Sequence, residues 1–119
     1  MNQPNPTTKK NRRGVTRRAP KRSTHVTCRR GSLGLGPNIG LSLLDVSETG
    51  ARLLVKESLA PGEKIELGLL APARMREYVL PGVVVWGVET ADGTHCVGVQ
   101  FQRRLTYSAL QELGQLSGG

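Results

Sequence analysis

Turn-forming residues cut the chain between positions 25 and 102 so often that only short strands fit between them. The stretch Asp45-Val46-Ser47-Glu48-Thr49-Gly50 separates two apolar runs, 41–44 and 51–55. Asp and Ser side chains bond nearby backbone N–H groups and Gly accepts positive φ, so the stretch reads as a tight strand–turn–strand. Pro61-Gly62 sits in a turn over 58–63, and Ala91-Asp92-Gly93-Thr94 is a strong hairpin signal.

The segments between these turns have strand character. Residues 64–70 alternate Ile65, Leu67 and Leu69 against Lys64, Glu66 and Gly68, the period of a half-buried strand. Residues 25–29 read as a short first strand, 77–88 as a long one and 95–102 as the last. Pro81-Gly82 lies inside the long strand and predicts a bulge or an edge there, because proline cannot donate to a ladder. Residues 106–116 form the one convincing helix, capped by Thr106 or Ser108, with Leu110, Leu113 and Leu116 as its apolar stripe. The expectation is all-β: a small six-stranded antiparallel barrel over 25–116, one C-terminal α-helix, and a flexible basic N-terminal arm over 1–24.

Charge supports that division. Residues 1–30 hold ten Lys and Arg and no acidic residue, whereas residues 31–119 hold seven Lys and Arg against nine Asp and Glu. The net charge of +8 thus belongs to the first quarter of the chain. Residues 1–24 contain only Met1, Val15 and Ala19 from the apolar set, so they are expected to be disordered when alone. A basic arm on a near-neutral body calls for an anionic partner, and phosphates are the obvious one.

Some classes of function are set aside at this stage. No apolar run is long enough to span a membrane, no secretory signal is visible, and two cysteines make no disulfide framework. A reduced, cytoplasmic protein is expected. Gly34-Leu35-Gly36 with Gly40 is not a phosphate loop, because Pro37 interrupts it and a strand follows. His25, Cys28, His95 and Cys96 do not suggest a metal site: His95 and Cys96 are adjacent on a strand and face opposite ways. No nucleophile–base pair, paired carboxylates or cofactor motif is present, so an enzyme is not expected.

The motifs carry more. Arg18-Ala19-Pro20-Lys21-Arg22 is an Arg-x-x-x-Arg, and Asp45-x-Ser47-x-x-Gly50 follows it. In order and spacing they resemble the signature of PilZ domains, bacterial receptors for the second messenger cyclic di-GMP. The resemblance covers about 17–116. It implies a six-stranded barrel with a C-terminal helix, non-enzymatic binding of cyclic di-GMP, and a signal passed to an unidentified protein effector. The implied ligand-binding residues are Arg17, Arg18, Arg22, Asp45, Ser47, Gly50 and Trp86. Arg18 has the right spacing to Arg22; Arg17 is adjacent to it, and Arg13 with Arg17 makes a second such pair. Arg suits phosphate and guanine O6/N7 alike, Asp45 can accept from guanine N1–H and N2–H, and Ser47 can donate to a phosphate or fix the turn. Trp86, in Gly82-Val83-Val84-Val85-Trp86, can wall a bound guanine. Arg52 reads as a solvated strand residue. Two alternatives remain: a PilZ-like interaction module without ligand, and a small nucleic-acid-binding barrel. Four aromatic residues in the chain are few for a stacking platform, which argues against the latter.

Overall fold

The computed structural model describes residues 17–20, 24–71 and 76–114. Six strands carry the fold: β1 (His25–Arg30), β2 (Gly40–Val46), β3 (Gly50–Val55), β4 (Lys64–Ala71), β5 (Arg76–Glu89) and β6 (His95–Phe101). A helix, α1 (Tyr107–Leu113), follows. The strands form one antiparallel sheet in the order β1-β4-β5-β6-β3-β2, rolled into a nearly closed barrel.

The two outer strands, β1 and β2, form no ladder with each other. At one end the seam is bridged by Ile39, whose N–H donates to the Cys28 carbonyl at 2.8 Å. Asn38 Oδ1 there accepts from the N–H groups of Cys28 and Gly40, at 2.9 and 2.8 Å. At the other end residues 17–20 take over. Arg18 and Val46 exchange backbone hydrogen bonds of 2.8 and 2.9 Å on the free edge of β2. The rest of the expected arm, residues 1–16 and 21–23, lies outside the described residues.

Alternation places the core inside the barrel. Ile65, Leu67 and Leu69 of β4 are fully buried, as are Leu53 and Val55 of β3 and Val97 of β6. The helix closes one opening with Ala109, Leu110 and Leu113. Its N-cap is Thr106, whose Oγ1 accepts from Ala109 N–H at 3.1 Å. The described helix ends at Leu113 with Gly114 as its C-cap; Leu116 lies outside the described residues.

Two details refine or overturn expectation. Pro81 sits in unbroken register with Glu66 of β4 and makes no bulge; on its β6 side it lies at a local edge, past the last β5–β6 pair. The reason is position: the β5–β6 ladder begins one residue later, at Gly82, so the donor that proline lacks falls where that ladder has ended. The β5 irregularity lies instead between Val84 and Trp86, with Val85 the extra residue. Gly50 does not use positive φ, which among the described residues occurs at Gly31, Gly34, Gly62 and Gly93. A Cβ on Gly50 would stand 2.3 Å from the Val99 carbonyl oxygen of β6, so glycine is needed there for strand contact.

Candidate functional site

Two bulges build the site. In β2, Leu43 faces the core and pairs with Leu53; a register shift then makes Asp45 the partner of Arg52. The core-facing apolar residues of this stretch, Leu43 and Val46, are accordingly three apart, and Asp45, although buried, turns to the outer face with Arg52. In β5, Val84 faces inward and pairs with Val99; the shift at Val85 then pairs Trp86 with Gly98 and turns the indole outward.

Because Arg52 also pairs with Gly98, one cross-strand row runs Asp45, Arg52, Gly98, Trp86 over β2, β3, β6 and β5. Neighbours in such a row are about 4.8 Å apart. The indole of Trp86 covers Gly98, where an added Cβ would be 2.3 Å from Nε1.

Asp45 holds two guanidinium groups. Arg17 Nη1 donates to Oδ1 at 2.7 Å, and Arg52 donates to Oδ2 from Nε at 2.7 Å, with its Nη2 in ion-pair contact with the same oxygen at 2.6 Å. The Asp45 side chain is 11% exposed while those of Arg17 and Arg52 are 49% and 46% exposed. The carboxylate is thus a buried anchor that leaves positive charge on the surface. Its hydrogen bonds hold the Arg52 guanidinium further above its already high ordinary pKa.

Beside the row lies a groove of about 580 Å³ whose walls include Arg17, Thr49, Gly50, Val85, Trp86 and Gly98. That is within the range of sites for small organic ligands, roughly 300–1,000 Å³.

The turn behind the groove is rigidly built. Ser47 is fully buried; its Oγ accepts from the N–H groups of Thr49 and Gly50 at 3.3 and 3.2 Å, and its own N–H donates to the Gly50 carbonyl at 2.8 Å. Beyond it, Phe101 N–H donates to Thr49 O and Leu105 N–H to Glu48 O, both at 2.8 Å. Ser47 and Gly50 therefore shape the corner from which Asp45 reaches outward.

Arg18 points elsewhere. It is 9% exposed, its guanidinium lies 5.6 Å from the Tyr107 ring centroid, and its Nε and Nη1 have no hydrogen-bond partner among the described residues. Of the seven residues expected at the site, the structure brings Arg17, Asp45, Ser47, Gly50 and Trp86 together. It buries Arg18 beside the helix, while Arg22 lies outside the described residues.

The family model for the PilZ domain matches residues 12–119. The chain belongs to the PilZ family. No curated protein matches it. PilZ domains are generally associated with cyclic di-GMP binding and are typically non-enzymatic receptors. Sequence reasoning set Arg52 aside and did not single out Thr49, Val85 or Gly98 of this PilZ domain's candidate site. The position of Arg52 two residues past Gly50 was visible, but its pairing with Asp45 depends on the β2 bulge.

Other groups stay apart from the groove. β1 and β6 are separated by β4 and β5, so His25 and Cys28 do not meet His95 and Cys96 as sheet neighbours. No helix among the described residues is long and apolar enough to cross a membrane.

Proposed function

We propose that this PilZ domain binds cyclic di-GMP in the groove beside the Asp45–Arg52–Gly98–Trp86 row, without catalysis. The observation that carries this reading is the row itself. A cationic pair fixed by one carboxylate stands at one end and a half-exposed indole at the other. A phosphate has the Arg17 guanidinium as a partner at one end, and a guanine has a stacking surface at the other.

In this reading Arg22 and its neighbours fold over the ligand from the arm, and Arg18 supplies a further cation. Ordering of the arm changes the surface shown to a separate protein effector in the cytoplasm. The ordering entropy is offset by charge-assisted hydrogen bonds to the two phosphates.

Isothermal calorimetry with cyclic di-GMP tests it. Saturable binding is expected, with Arg22→Ala and Asp45→Ala each weakening it by about 1–3 kcal/mol. Absence of binding by the unaltered chain, or unchanged affinity in both variants, contradicts it.

A further inference from the structure

We propose that Arg52 reads the O6/N7 edge of a guanine and so sets the base preference of the groove. This rests on the reading of the site just given and names a contact it does not include.

Arg52 occupies the row between Asp45 and Gly98, and the indole of Trp86 leans over Gly98. Arg52 is not a wall of the groove; it stands two strand spacings from Trp86, about 10 Å across the row, so its long side chain comes within reach of the edge of a purine stacked on the indole. The guanidinium engages Asp45 side-on: Nε donates to Oδ2, and Nη2 lies 2.6 Å from the same oxygen. Its end-on edge, made by Nη1 and the second hydrogen of Nη2, has no hydrogen-bond partner among the described residues. Side-on anchoring by a carboxylate removes much of the side chain's rotamer freedom, so the end-on fork is held in place before a ligand arrives.

The chemistry of that fork is selective. Guanine presents O6 and N7 as two adjacent acceptors, which two parallel N–H donors match. Adenine puts an N6–H₂ donor beside N7, which opposes one of the two. Arg17 carries no such constraint, since it reaches Asp45 through a single nitrogen and is not in the row. Asp45 serves as the positioning residue for Arg52.

The test titrates the full chain with cyclic di-GMP, cyclic di-AMP and the 7-deazaguanine analogue of cyclic di-GMP, with R52M and R52K alongside. The unaltered chain is expected to prefer cyclic di-GMP over both others by about ten- to a hundred-fold. In R52M that preference collapses, because the side chain has no donor for O6 or N7; R52K, whose ammonium can reach those acceptors but lacks the fixed fork, keeps only part of it. If R52M weakens all three dinucleotides equally and keeps the preference, Arg52 only holds Asp45 and the assignment is overturned. If the unaltered chain binds cyclic di-GMP and its 7-deaza analogue equally well, the assignment is overturned while the binding reading stands. This comparison uses no variant and so survives a folding defect in R52M. If the unaltered chain binds none of the three, both fall.

Discussion

The indole of Trp86 lies directly on Gly98: a Cβ added to that glycine would be 2.3 Å from Nε1 and 2.4 Å from Cε2. The contact exists because the extra residue Val85 puts Trp86 opposite Gly98 on the outer face of the barrel. The groove therefore depends on a glycine that the family-like motifs do not include.

Gly98→Ala separates this contact from the fold. The clashing group is a half-exposed side chain, free to swing away, so stability is expected to change by no more than about 1 kcal/mol. Tryptophan fluorescence shifts and cyclic di-GMP binding weakens. Gly50→Ala behaves oppositely. Its Cβ meets the Val99 carbonyl at 2.3 Å, a backbone atom of a central strand, so the variant loses about 2 kcal/mol or more in chemical denaturation. Equal stability losses in the two variants would contradict this division.

Arg18 is a group under stress. Two of its guanidinium nitrogens, Nε and Nη1, are buried without a hydrogen-bond partner among the described residues, and the Tyr107 ring lies 5.6 Å from its guanidinium. Unpaired buried donors cost about 1–3 kcal/mol, and apolar replacement of buried ions is often neutral or stabilising. Arg18→Met is expected to raise the thermal midpoint by several degrees without ligand, on the order of 1 kcal/mol. A fall of similar size would show that the guanidinium is well satisfied.

The two thiols should differ in reactivity. Cys28 is fully buried, and burial pushes its pKa up to about 11. The thiol therefore stays protonated as pH rises through 8 or 9, and the reactive thiolate is scarce. Cys96 is partly exposed. At pH 8 a disulfide reagent is expected to titrate one thiol promptly and the second only at the rate of unfolding. Two prompt thiols would contradict the burial of Cys28.

Much of the barrel was legible in the residues. The alternation of Ile65, Leu67 and Leu69 located β4, and Asp92-Gly93 located the β5–β6 hairpin. Both signals are local, so no partner strand is needed to read them. The bulges were not legible. An inserted residue is defined by the register of the strand opposite, and neither Leu44 nor Val85 looks unusual among its neighbours. Which of a bulge or an edge Pro81 marks was not legible for the same reason: it depends on where β6 ends. At the site, the turn motif pointed to Asp45, Ser47 and Gly50, and their structure-forming bonds are local. Arg52 was missed because unshifted pairing would set Asp45 against Ala51, and only the bulge at Leu44 brings it to Arg52.

The most direct test of the account is amide NMR of the full chain during titration with cyclic di-GMP. It follows residues 12–24 and 45–52 together with the indole N–H of Trp86, the chain's single tryptophan. The account predicts saturable shifts in all three sets, with the arm amides becoming ordered in step with those of the turn. Unshifted amides at 45–52 and an unmoved indole signal, with the dinucleotide in excess, would contradict it.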